Sequence, residues 1–290
     1  MSTLPKITVV TPSYNQAAYL ETTIRSVLGQ RYPRLEYMIL DGGSTDGSVE
    51  IIQRYASELA FWVSERDGGQ ANAINRGFAQ ATGDILCWVN SDDYHLPDTL
   101  WRVAAELGPR LETPAIVTGG CVIFHEGKTI GRTEAATKHD PTRLRRCDYI
   151  VQPSTFWTAA AWRKMGPLEG TLHYAFDWEW FLRALDGCEF RSTPDLLSAY
   201  RIHETHKSGQ GGDPRREEIL ATMRKYSTPD VVEMYQWLRA HPGIWPAMGR
   251  YSYARWLKLP VLAAVGLAPR LLSAPLRFDK DHLLDCFNML

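Results

Sequence analysis

Apolar and polar positions follow two alternating periods along the first third of the chain. Residues 7–11 (Ile-Thr-Val-Val-Thr) form a β-branched run that ends at Pro12, the pattern of a buried strand. The spacing then changes to three and four. Tyr19, Thr23 and Val27, with Leu20, Ile24 and Leu28, draw an apolar stripe that stops before Gly29, which predicts a helix. The same reading predicts a strand over 35–40, a helix over 49–55, a short strand over 60–64, a helix over 71–81 and a strand over 84–89. Strands alternating with helices from the outset predict βαβ units and a largely parallel sheet of Rossmann-like α/β type flanked by helices. Such sheets take ligands at the carboxyl ends of their strands. Polar turns fall at those ends after Thr11, Leu40 and Val89.

The second half is less regular. Residues 115–118 and 120–124 read as two strands followed by a Glu126-Gly127 turn, 178–185 as a helix and 196–202 as a strand. From Arg215 onward helices dominate, punctuated by Pro229, Pro242, Pro246, Pro260, Pro269 and Pro275. The composition, 44% hydrophobic and 22% charged over 290 residues, is that of a globular chain with a substantial core. A net charge of −1 argues against a protein that coats nucleic acid. The five cysteines are scattered and form no C-x-x-C, which excludes a disulfide scaffold or a zinc knuckle. The N-terminus runs straight into strand pattern, so the expectation is a cytoplasmic chain without a leader.

Several acids sit where chemistry could use them. Asp92 and Asp93 follow an almost purely apolar strand, Ile85-Leu-Cys-Trp-Val89. Adjacent carboxylates there repel and lose solvation, which a divalent cation would relieve, since Mg2+ and Mn2+ take one or two carboxylates plus substrate phosphates. The plainer alternative is a loop and helix-cap pair. Asp41 precedes Gly42-Gly-Ser-Thr-Asp46. It could accept from a nucleotide base or ribose, or serve only as an Asx-turn residue, while Ser44 or Asp46 caps the following helix. Asp177 opens an aromatic-rich helix in Phe176-Asp-Trp-Glu-Trp180. It reads either as a dipole-complementing acid or as a base whose aromatic surround excludes water. Glu179 would face another side of that helix. His203 and His206 form an H-x-x-H without a third ligand, open between a metal or diphosphate ligand and exposed loop histidines.

Taken in order, these segments resemble glycosyltransferase family 2, the inverting nucleotide-sugar transferases with the A-type glycosyltransferase fold. The matching motifs are Val9-Val-Thr-Pro-Ser-Tyr-Asn15, Leu40-Asp-Gly-Gly-Ser-Thr-Asp-Gly47, Ser64-Glu-Arg-Asp-Gly-Gly69, Ala73-Ile-Asn-Arg-Gly77, Ala81-Thr-Gly-Asp84 and Asn90-Ser-Asp-Asp93. Gln152-Pro-Ser-Thr-Phe156, Phe176-Asp-Trp-Glu-Trp-Phe-Leu-Arg183 and Tyr200-Arg-Ile-His203 follow, so the resemblance spans residues 7–203. It implies that Thr11, Pro12 and Tyr14 line a nucleotide pocket, that Asp41 receives the base, and that Asp67 and Asp92 lie beside the nucleotide and its sugar. It also implies that Asp93 holds Mn2+ or Mg2+, with His203 as a candidate second ligand, and that Asp177 is the general base. Two departures stand out: Ser91 occupies the first position of the family's Asp-x-Asp element, and Phe176 precedes Asp177 where the family often has Glu. The expected partners are a nucleoside-diphosphate sugar and a saccharide or lipid-linked saccharide acceptor, in cell-surface polysaccharide or glycolipid assembly.

The expected organisation is a catalytic domain over 1–206, with a nucleotide half at 1–94 and an acceptor half at 95–206, followed by a helical extension over 207–290. Residues 234–278 contain no Asp or Glu but carry Arg239, Arg250, Arg255, Lys258, Arg270 and Arg277 among aromatic residues, a composition suited to an anionic membrane surface. The apolar run 259–269 is too short to span a bilayer, and packing against the protein is the alternative. Three rival functions are a sugar nucleotidyltransferase, a glycoside hydrolase using paired carboxylates and a non-catalytic nucleotide-sugar binder. The first would need a glycine-rich basic loop where this chain has Thr11-Pro-Ser-Tyr-Asn15.

Overall fold

The computed structural model describes residues 4–128, 131–136, 138–246, 248 and 280–290. The chain divides into two compact units, one of residues 1–139 and 150–210, the other of 140–149 and 211–290. The apolar run 259–269 lies outside the described residues. Among the described residues no helix is long and apolar enough to cross a membrane.

The first unit begins with β1 (Ile7–Ser13), α1 (Ala17–Leu28), β2 (Leu35–Asp41), α2 (Ser48–Arg54), β3 (Phe61–Ser64), α3 (Gln70–Gln80) and β4 (Ile85–Trp88). Its order and type are those the apolar periods predict. Every residue of β1, and all of β2 after Leu35, is buried. Strands covered on both faces read as continuous apolar runs for that reason. β1 does not stop at Pro12. It pairs with β2 through Ser13, whereas pairing with β4 ends at Val10, so the proline occupies a stretch with β2 alone beside it. The α2 cap also differs from expectation. Gly47 is the N-cap residue, with φ +99°, and the Asp46 carboxylate accepts from the N–H of Ser48 and of Ala17, tying the starts of two helices.

After β5 (Tyr94–His95) and α4 (Thr99–Leu107) come β6 (Ala115–His125) and β7 (Gly131–Glu134). Here two predicted strands are one. Gly119-Gly120 marks a register irregularity against a later strand, and a Cβ on Gly119 would lie 2.4 Å from the Leu197 side chain. β8 (Thr155–Thr158), α6 (Ala159–Met165), α7 (Phe176–Ala184) and β9 (Glu189–Ile202) complete the sheet. The strand order is β3-β2-β1-β4-β8-β6-β9-β5, with β7 on β6. Parallel pairing holds across β3-β2-β1-β4 and between β6 and β9, and the other pairs are antiparallel. One core packs Val9, Ile39 and Cys87 of the sheet on Leu20, Ile24 and Val103 of the helices. A second group is aromatic, with Trp88 and Trp157 rings 5.3 Å apart and Trp157 and Trp180 rings 5.0 Å apart. Such ring pairs contribute about 0.5–1.5 kcal/mol each beyond burial.

The second unit contains α5 (Pro141–Leu144), α9 (Gly212–Tyr226), α10 (Pro229–Ala240) and α11 (Lys280–Asn288), while the short α8 (Lys207–Gln210) belongs to the first. Met223, Met234, Tyr235 and Leu238 are among its buried apolar residues, and Asp285 accepts from Arg143 and Arg146. All five cysteines are free thiols. Cys87, Cys121, Cys147 and Cys286 are buried, and burial raises the pKa of each, to about 11 for Cys121 and about 12 for Cys286.

Candidate active site

A cleft of about 830 Å³ opens at the carboxyl ends of the parallel strands in the first unit. Parallel register sets its first wall by placing Ser13, Asp41 and Ser64 abreast at the ends of β1, β2 and β3. Asp41 is 2% exposed and does not line the cleft. Its Oδ2 accepts from Gly43 N–H (3.1 Å), Ser44 N–H (2.8 Å) and the Ser64 hydroxyl (2.7 Å), and its Oδ1 accepts from the Ser44 hydroxyl. That is the turn arrangement, made possible by φ +83° at Gly43. Thr11 is also behind the wall, fully buried with its hydroxyl 3.1 Å from that of Tyr37. Pro12, Tyr14, Gly42 and Asp67 do face the cleft. Asp67 Oδ1 accepts from Gly69 N–H at the start of α3 (2.8 Å).

The acidic turn Asn90–Asp93 forms the floor and is held from three sides. The Thr23 hydroxyl of α1 lies 3.0 Å from the Ser91 carbonyl and 2.6 Å from that of Asp93. Arg201, near the end of β9, donates its backbone N–H to Asp93 Oδ1 (3.0 Å) and its Nε–H to the Asp92 carbonyl (2.9 Å). The guanidinium pairs with Glu126 and lies 4.8 Å from the Tyr19 ring centre and 5.0 Å from that of Phe124. Asp93 is 1% exposed, and burial first, then the charge of Asp92, raises its pKa well above the ordinary carboxylate value.

His203 is not an exposed loop histidine. It is 6% exposed, with Nε2 3.1 Å from Asp92 Oδ2, Nδ1 3.0 Å from the Thr205 hydroxyl, and its ring 4.5 Å from that of Tyr19. Both ring nitrogens are therefore committed, and a metal could take His203 only by displacing Asp92 or Thr205 from it. Among the described residues no group of three His, Cys, Asp or Glu side chains could hold a metal. The Asp92–Asp93 pair still fits a hard divalent cation that takes one or two carboxylates and fills its other positions from phosphate and water. Asp93 Oδ2 has only a long 3.5 Å contact, to Asn90.

Across the cleft, α7 presents Asp177 from its first turn, half-buried, with Oδ1 accepting the N–H of Trp178 (2.8 Å). Glu179 is buried and paired with Arg183 (2.9 Å), and it does not line the cleft. The cleft thus gathers Pro12, Tyr14, Asp67, Asp92, Asp93 and Asp177, and leaves Thr11, Asp41 and His203 in the supporting layer. It also brings in His206 of the H-x-x-H pair, and residues to which the sequence reading assigned no role: Ser13, Arg66, Gln70, Gln152 and Lys207. Lys207 Nζ donates to Gln70 Oε1 (2.7 Å), whose amide nitrogen donates to Asn90 Oδ1 (2.7 Å). The available signal was adjacency, because Arg66 directly precedes Asp67 and Lys207 follows His206. Acids on the floor with cations at the rim suit a ligand that combines anionic phosphates with hydroxyl groups.

A cleft at the carboxyl ends of the strands of an α/β sheet, with an acidic turn on its floor, is the place where such sheets take their ligands. The family model for glycosyl transferase family 2 matches residues 8–165, and the chain belongs to that family. An uncharacterized glycosyltransferase of Mycobacterium tuberculosis is 30% identical over 195 residues, which cover 65% of this chain and 72% of the relative. A putative teichuronic acid biosynthesis glycosyltransferase of Bacillus subtilis, TuaG, is 37% identical over 99 residues, or 33% of this chain and 39% of the relative. Among solved structures, the mannosyltransferase PcManGT from Pyrobaculum calidifontis, in complex with GDP-Man and Mn2+, is similar with TM-score 0.60 and 19% identity, over 95% of this chain and 77% of that one. S. aureus TarS in complex with UDP-GlcNAc gives TM-score 0.58 and 18% identity, over 81% and 72%. These two structures share the A-type glycosyltransferase fold with this chain.

Proposed function

We propose that this chain transfers a sugar from a nucleoside-diphosphate sugar to an acceptor hydroxyl with inversion, in the assembly of a polysaccharide or glycolipid. The observation that carries the reading is the placing of Asp177 in the same cleft as the Asp92–Asp93 turn. In this reading residues 1–94 bind the nucleotide and 95–206 supply the acceptor side. Asp177 accepts the proton of the acceptor hydroxyl as its oxygen bonds to the anomeric carbon, while the bond from that carbon to the diphosphate oxygen breaks. A single displacement of this kind inverts the anomeric centre, and holding donor and acceptor in line contributes much of the acceleration. Arg66 and Lys207 attract the diphosphate. Asp93, with Asp92, would hold Mn2+ or Mg2+, which when bound neutralises charge developing on the departing diphosphate. Arg201 and Thr23 fix the turn that presents those carboxylates.

The roles and complexes of this chain's relatives support this choice of donor and pathway class. The basic, aromatic stretch within 234–278 favours an acceptor presented at an anionic membrane surface, and sedimentation with anionic liposomes at low and high salt tests it. The test of the reaction is a screen of nucleotide sugars with Mn2+ by mass analysis of products, run beside Asp177→Asn. The variant should bind donor as the parent does and lose transfer by about a hundredfold or more, because an amide cannot take the proton. Near-parental transfer by the variant removes Asp177 from the role of base.

A further inference from the structure

Two residues that line the cleft each carry a polar side-chain atom with no hydrogen-bond partner among the described residues, although both residues are more than nine-tenths buried. The atoms are the hydroxyl of Ser13 (5% exposed) and Oε1 of Gln152 (7% exposed). A buried polar atom left unpaired costs free energy, so such an atom aimed into a cleft points to a group that arrives with the ligand. The orientation of the Gln152 amide follows from its other end. Nε2 lies 2.9 Å from the Trp88 carbonyl, which can only accept, so the nitrogen faces Trp88 and the oxygen faces away.

The side chain is also held in place. Gln152 opens a short 3-10 turn over Gln152–Ser154, where the Ser154 hydroxyl donates to the Gly120 carbonyl (2.7 Å) and the Thr155 hydroxyl to that of Val151 (2.9 Å). Trp88 is the last residue of β4, the strand that runs on into the acidic turn. Gln152 is thereby tied to the element that carries Asp92 and Asp93. Ser13 stands instead on the first wall, abreast of Asp41.

The chemistry narrows the partner. A carboxamide oxygen accepts only, so it must meet a donor, and a diphosphate ionised at neutral pH has none. Ring hydroxyls and amide N–H groups of a sugar qualify. We propose that Gln152 Oε1 accepts a hydrogen bond from a hydroxyl or amide N–H of the sugar carried by the donor, which makes Gln152 a specificity residue for the transferred sugar. The proposal rests on the reading of the cleft as a nucleotide-sugar site, with the nucleotide against the β1–β3 wall.

The test is titration calorimetry on the full chain with Mn2+, using UDP, GDP, dTDP and CDP and a hexosyl derivative of each. Gln152→Met keeps the length and apolar packing of the side chain and removes the acceptor. For whichever pair the parent binds, the variant should bind the sugar nucleotide about tenfold more weakly and the bare diphosphate within about twofold of the parent. Ser13→Ala should weaken both members of the pair alike. Equal losses, or none, for Gln152→Met would overturn the assignment while the parent's binding leaves the donor-site reading intact. A parent that binds none of the nucleotides overturns both. If the variant melts early, the Gln152 side-chain amide resonances of the parent decide. They should shift with the sugar nucleotide and stay put with the bare diphosphate, and a shift common to both defeats the proposal.

Discussion

Asp93 is a carboxylate placed where its own charge is disfavoured. Burial and Asp92 both oppose ionisation, and only hydrogen bonds from Arg201 N–H and Asn90, with the more distant Arg201 charge, favour it. A group whose folded pKa is raised contributes stability that is present below the unfolded value, about 4, and lost as pH rises through the folded value. Asp93→Asn escapes that loss. It should therefore melt a few degrees above the parent at neutral pH without cation, a gain of about 1–2 kcal/mol that shrinks toward pH 4. Transfer should be abolished, and Mn2+ should raise the melting temperature of the parent but not of the variant. A neutral-pH melting temperature at or below the parent's would contradict this. At this scale the sequence disclosed the acids but not their facing. Asp41 and Asp67 both precede glycine, yet one is spent on its turn and the other faces the cleft. Gln152 falls within a family-like motif, but nothing in the residues around it marks its side chain for the cleft.

Elements matter here chiefly through their ends. β9 delivers Arg201 to the acidic turn by pairing with β6 along most of its length, and Tyr19 of α1 and Phe124 of β6 cradle the guanidinium. Arg201→Met keeps the stem but removes the donor to Asp92 O and the partner of Glu126. The cost should be about 2–3 kcal/mol of stability, since a buried carbonyl loses a charged donor. The acid turn should also loosen, so the Mn2+ concentration giving half of the thermal shift should rise, and transfer should fall about tenfold or more. A stability loss with an unchanged Mn2+ midpoint would make Arg201 merely structural. β1, β2 and β4 were readable because burial on both faces leaves nearly continuous apolar runs. The start of β9 was not, because residues 189–195 are mostly polar, include Pro194 and, except for Thr193, remain at least partly exposed. Likewise, Gly119-Gly120 made one strand look like two.

For the molecule as a whole, Glu36 is an acid-sensitive fixture. Burial would raise its pKa, but hydrogen bonds from Lys6, Thr8 and Thr82 outweigh it and lower the value to about 2. A depressed carboxyl contributes stability that is present above its unfolded value and lost as pH falls through the folded one, so this contribution disappears between about pH 5 and pH 2. Glu36→Gln should lose about 2 kcal/mol at neutral pH and show a flatter acid limb in denaturant melts across that window. Parallel acid limbs for the two proteins would exclude Glu36 as the source. Division into units was the least legible property, because Arg143 and Asp285 lie 142 positions apart and no local window links them.

The buried thiols turn each unit into its own clock. A sequestered, protonated sulfur cannot be alkylated until the polypeptide around it opens, so modification proceeds at the rate of that opening. Cys87 and Cys121 would time the sheet, and Cys147 and Cys286 the helical unit, in a single mass-resolved experiment. Two distinct rates would mean that the units breathe separately. One shared rate would mean that they open together. Half-exposed Cys188 should react ahead of the other four in either case.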